Sequence, residues 1–204
     1  MILCSIILSF NISAHEFTNK QEYTTKHTKI KHVPKIIELF SFFCPYCYEV
    51  QKKYHFSNLI NKNLNKNIHI KTYHVNFLGG KLSNVLTKAW IIAQKMKIED
   101  KIMLPMFAGI QKTHTIKNVR HIRELFFKIA GVNINDYNKF WNSLSIKILT
   151  KKTNQIVKKC HLYHVPTILI NGKYIIDYYR LESIFKNQLP EKYIQLINFL
   201  MYKK

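Results

Sequence analysis

Cys44 and Cys47 are separated only by Pro45 and Tyr46, and that spacing fixes the chemistry they could do. On a helix, residues three apart share a face at about 5–6 Å, inside the separation a disulfide accepts. Pro45 suits a first helical position, where a missing N–H costs nothing. Cys44 would then stand at the helix N-terminus, where unpaired N–H groups and the positive end of the dipole stabilise a thiolate. Cys47, one turn in, would be more buried and less reactive. A stabilised Cys44 thiolate is a good leaving group, so an oxidised pair would be readily attacked by an incoming thiolate. The cycle that follows is a mixed disulfide on Cys44, resolution by a second incoming thiol, and a dithiol left behind. A strand before the pair and a helix after it favour this redox role over a passive structural disulfide.

The other cysteines are Cys4 and Cys160. Residues 1–14 form a short apolar run ending in small residues, too short to span a bilayer and suited to the apolar core of a secretory signal. Two features fit less well: no Lys or Arg precedes the run, and Ile12 is bulky for its place before Ala14. The alternative is a buried N-terminal strand. Loss of residues 1–14 would remove Cys4 and leave one close pair and one single cysteine, which is no disulfide scaffold. Zinc could be drawn on paper from Cys44, Cys47, Cys160, His161 and His164, but the two groups lie too far apart in sequence for compact ligand pairs. No metal or cofactor is expected, and Cys160 is read as a buried helical thiol without a partner.

The elements that must position the pair follow from periodicity. Residues 35–43 read as a buried, aromatic-rich strand, followed by a helix to about residue 65. Residues 69–77 alternate like a second strand, which Gly79-Gly80 breaks. From there to Thr153 apolar residues recur at helical spacing, punctuated by Pro105 and Gly131, with Trp90 and Trp141 read as core packing. Residues 165–170 and 174–177 are strand candidates around an Asn171-Gly172 hairpin turn, and an amphipathic helix covers about 191–202. This order implies an α/β domain interrupted by an all-helical insertion: residues 15–77 and 154–204 form the α/β part and 78–153 the insertion.

The formal charge of +21 raises a nucleic-acid reading. Lysine supplies nearly all of it; the only arginines are Arg120, Arg123 and Arg180, and the lysines are scattered without a block. Arginine is the better reader of phosphates and guanine edges, so the recognition chemistry is missing and no nucleic-acid partner is expected. No segment beyond residue 14 approaches about 18 apolar residues, so no stable membrane insertion is expected.

Several stretches together resemble the DsbA family of bacterial disulfide interchange proteins. They are residues 38–48 around the cysteine pair, Tyr73-His74-Val75-Asn76-Phe77, Thr87 to Trp90, Gln111 to Thr113, and Val165-Pro166 to Tyr174. The resemblance runs from about Gln21 to the C-terminus. It implies a thioredoxin-like fold with a helical insertion, a periplasmic monomer, exported proteins with free cysteines as substrates, and a DsbB-like, quinone-linked inner-membrane reoxidant. It implies that Cys44 is the attacked, exposed cysteine and Cys47 its buried partner. Val165-Pro166 would be the cis-proline loop that holds the substrate strand, and Glu38 a buried acid that relays protons to Cys47.

Three departures qualify that likeness. Tyr46 stands where the family commonly has histidine, which should weaken oxidising strength. Thr72 replaces a lysine able to pair with the buried acid, and Lys71 would point to the opposite strand face. Tyr163-His164 replaces an Arg-Gly pair, and His164 is a candidate to stand in for the missing histidine near Cys44. The competing readings are a cytosolic glutaredoxin-like or thioredoxin-like reductant, since Cys-Pro-Tyr-Cys also serves glutaredoxins, and a non-catalytic binding or chaperone module.

Overall fold

A computed structural model describes residues 17–64 and 68–203. The expected signal segment and Cys4 lie outside the described residues. The sheet contains β1 (Thr24–Thr25), β2 (Ile36–Phe40), β3 (Lys71–His74), β4 (Thr167–Ile170) and β5 (Tyr174–Asp177) in the order β1-β5-β4-β2-β3. β2 and β3 are parallel, and the other pairs are antiparallel. Every residue of β2 is buried. Ile37 and Leu39 pack against Ile156, Val157 and Cys160 on one face, while Ile36 and Phe40 join the cores on the other. A strand covered on both sides reads as a continuous apolar run rather than an alternation, and Glu38 is its one charged residue.

Helix α1 (Pro45–Tyr54) follows β2 directly, and α2 (Phe56–Asn63) follows α1. The single helix expected to residue 65 is thus two, broken where His55 takes a left-handed conformation with φ 45°. After β3 come α3 (Gly80–Lys95), α4 (Glu99–Gln111), α5 (Val119–Ala130), α6 (Ile134–Asn142) and α7 (Leu144–Cys160). Gly131 ends α5 in a left-handed cap, as expected, but Pro105 lies inside α4 and does not end it. Ile102, Met103, Met106, Phe107 and Ile110 are buried around that proline, and their packing outweighs the lost backbone hydrogen bond. α7 continues unbroken through Thr153 to Cys160.

Asn171 and Gly172 both have positive φ, as a two-residue hairpin turn requires. A Cβ on Gly172 would lie 2.2 Å from the Ile30 carbonyl oxygen, so close approach as well as conformation demands glycine there. Beyond β5 the chain forms α8 (Tyr178–Phe185), which periodicity missed, and α9 (Leu189–Tyr202). Its signal was present: Asp177 accepts from the N–H groups of Tyr179 and Arg180 as an N-cap. Among the described residues, no helix is long and apolar enough to cross a membrane.

Candidate redox site

β2 ends at Phe40, and Ser41–Phe43 turns the chain into α1, whose N-cap is Cys44 and whose first residue is Pro45. The Cys44 Sγ accepts from the Cys47 backbone N–H at 3.1 Å, a cap made by sulfur. Its S–H donates at 3.3 Å to the Val165 carbonyl, which belongs to the cis Val165–Pro166 peptide bond. Both cysteines are free thiols. Hydrogen bonding from the Cys47 side chain, aided by the Cys47 N–H, outweighs burial and lowers the Cys44 pKa. Burial, then the hydrogen bond and charge of Cys44, push Cys47 well up. The two thiols are shifted in opposite directions, although Cys44, expected to be the exposed cysteine, is itself buried, with 6% of its surface accessible against 1% for Cys47.

Glu38 sits beneath this pair. Its carboxylate accepts from Ser57 Oγ at 2.7 Å and Gln51 Nε2 at 3.2 Å, and no Lys or Arg pairs with it among the described residues. Burial raises its pKa to about 7 despite those two hydrogen bonds, and its charge in turn raises Cys47. An acid that is half protonated near neutrality beside a buried thiol can hold or release the proton that the thiol exchanges. Thr72 pairs with Glu38 in the β2–β3 register, and its side chain bonds instead with Trp90 and Gln94. Lys71 is exposed on the other face, as expected.

Four contacts were not anticipated from sequence. Gln111, the last residue of α4, donates through Nε2 to the carbonyls of Phe42 at 2.7 Å and Cys44 at 3.0 Å, pinning the turn that carries Cys44. Its sequence signal was its place within a family-like stretch, without a role attached. Tyr46 donates its phenol to Glu182 of α8 and lays its ring against Tyr178 and Tyr179. His74 is fully buried behind Phe42, stacked on it at 5.1 Å, and burial pushes its pKa down to about 3. A Cβ on Gly79 would fall 2.0 Å from the Phe43 ring, which lets the Gly79-Gly80 turn press on the cysteine loop.

His164, the candidate substitute for the missing histidine, turns its Nε2 to Asp177 at 3.5 Å. Its place is therefore the β5–α8 corner. Cys160 ends α7 fully buried, and burial pushes its thiol up to about 11 against the opposing charge of Lys26. Trp90 is buried and Trp141 half-buried, stacked on Tyr137.

The chain matches the DSBA-like thioredoxin domain family over residues 35–188. It is 53% identical to the thiol:disulfide interchange protein DsbA of Buchnera aphidicola subsp. Schizaphis graminum, across all of this chain and 98% of the relative. The DsbA of Escherichia coli K12 is 33% identical, with the same coverage of both chains. Among solved structures, the Klebsiella pneumoniae DsbA superposes with a TM-score of 0.86 at 27% identity, over 93% of this chain and 100% of that one. A Proteus mirabilis DsbA bound non-covalently to the peptide PWATCDS gives 0.85 at 30%, with the same coverage. The chain belongs to the DsbA family: it is a thiol:disulfide oxidoreductase with the thioredoxin-like fold.

Proposed function

We propose that this oxidoreductase works in the periplasm as a monomeric disulfide donor to exported proteins, and that a DsbB-like, quinone-linked membrane protein reoxidises it. The observation that carries the direction of transfer is the position of Cys44 Sγ between the Cys47 N–H and the Val165 carbonyl. The donor from Cys47 stabilises a departing Cys44 thiolate, and the loop carbonyl marks the line along which a substrate strand would be held. A substrate thiolate attacks Cys44, the S–S bond to Cys47 breaks, and the Cys47 thiolate takes up a proton for which Glu38, whose charge raises the Cys47 pKa, is the relay. A second substrate thiolate then attacks its own sulfur, Cys44 leaves as thiolate, and the substrate is left oxidised. The binding of a cysteine-containing peptide by the Proteus mirabilis protein supports a substrate of this kind.

The test is the Cys44 pKa by pH-dependent alkylation together with the equilibrium potential against glutathione. An acidic thiolate and an oxidising potential are expected. A Cys44 pKa near the free-cysteine value of about 8.5, with a potential at or below the glutathione couple, would make the chain a reductant.

A further inference from the structure

Beyond the Val165–Pro166 loop the surface opens along α7 into space that the sulfur chemistry does not use. Phe77 and Tyr163, exposed by 39% and 75%, face each other with ring centroids 6.3 Å apart. With Val157 and Leu162 they line a cleft of about 300 Å³ that Asn154 and Lys158 also line. Those same two residues line a second groove of about 480 Å³, together with Lys88, Lys147 and Lys151. The two clefts therefore adjoin at Asn154 and Lys158, one lined by an aromatic pair whose Tyr163 is two residues from Val165, the other by lysines.

The lysine end is short of negative charge. Neither cleft is lined by an acid, and α7 carries five lysines and no Asp or Glu. Lys88 rests its ammonium 4.1 Å from the Trp141 ring, and burial together with the Lys147 charge lowers its pKa. Where the clefts meet, the Asn154 Oδ1 has no hydrogen-bond partner. A turn of that amide would offer an acceptor to a passing backbone N–H.

We propose that this groove receives the extended polypeptide flanking a substrate's reacting cysteine, an apolar residue seating between Phe77 and Tyr163 and acidic side chains lying over Lys147, Lys151 and Lys158. The inference rests on the disulfide-donor reading and names the class of substrate it favours. From Lys158 to Lys147 α7 rises about 16 Å, a span that about five extended residues cover. The acidic run should therefore be about five residues long, beyond the apolar anchor.

The experiment compares two synthetic dithiol peptides with the oxidised full-length protein at low ionic strength. They are identical through an aromatic residue and their cysteines; one continues in a run of Glu, the other in Gln. The acidic peptide should show a KM about tenfold lower, and added salt should erase the difference. In the K147Q/K151Q/K158Q variant the ratio of the two KM values should fall to about one. In a K29Q/K31Q/K62Q variant, which removes the same charge elsewhere, it should persist. Equal KM values with the wild-type protein, or an equal loss of the ratio in both variants, would overturn the groove proposal while leaving disulfide donation intact. Oxidation of neither peptide would overturn the donor reading itself.

Discussion

Cys44 and Cys160 are both covered by protein, yet they stand at opposite ends of helices, and their chemistry diverges accordingly. Cys44 caps the N-terminus of α1, where the Cys47 N–H points at its sulfur, and its pKa is lowered. Cys160 closes the C-terminus of α7 in an apolar core, and burial holds its thiol near 11. Burial disfavours the thiolate at both sites; hydrogen bonding and the sign of the helix dipole decide which one reacts. Lys26 is close enough to oppose the rise at Cys160 without reversing it, and its ammonium donates to the Cys160 carbonyl at 3.1 Å.

The sharpest way to break that contrast is deletion. Cys44→Ser should abolish dithiol oxidation, a loss of at least about 1,000-fold, whereas Cys160→Ser should stay within about twofold in the same assay. An active Cys44→Ser protein would end the redox reading. Next comes the alkylation rate at pH 7 in the reduced protein, read by mass spectrometry of each peptide. Cys44 should react at least about 100-fold faster than Cys160, from thiolate fraction alone.

Glu38 sharpens the contrast further, because α1 has a buried acid beneath it. Its folded pKa, about 7, lies above the unfolded value, so between those values the folded state binds the extra proton. Stability should therefore fall as pH rises from about 5 to 8, by about 3 kcal/mol in total from this group. Denaturant titrations across that range should show the slope in the wild type and lose its share in Glu38→Gln.

Gln111→Ala should free the Phe42 and Cys44 carbonyls and loosen the turn. We expect the Cys44 pKa to rise, oxidation to slow about three- to tenfold, and stability to fall by about 1 kcal/mol. An unchanged Cys44 pKa would reduce Gln111 to a structural tie. The smallest effect belongs to Tyr46. Tyr46→Phe should lower Tm by a few degrees through loss of the bond to Glu182, about 1 kcal/mol. Tyr46→His should make the potential more oxidising by about 30 mV, which is about 1.4 kcal/mol for two electrons.

The cysteine pair, the strand before it and the helix after it were legible because they are local: apolar run, proline and spacing all lie within residues 35–54. The hairpin was legible for the same reason, since Asn171-Gly172 states its own turn. What escaped was long-range. The bonds of Gln111 to Cys44 and Tyr46 to Glu182 join residues 67 and 136 apart, and no periodicity records such a pairing. The break at His55 escaped because the flanking residues suit a helix and only tertiary packing asks for the turn. Pro105 misled in the other direction, a strong local breaker overruled by the side chains around it.

The ends of the sheet carry one more consequence. β1 is only two residues long, so one edge offers little backbone to a stray strand. At the other edge, Trp90 and Gln94 of α3 donate to the Thr72 carbonyl of β3, occupying an acceptor that edge would otherwise leave open. A disulfide donor to exported proteins, as proposed, would be continually surrounded by unfolded strands seeking partners. By blunting both borders, this one should resist being recruited into its clients' aggregates, confining strand-like contact to the loop beside Cys44.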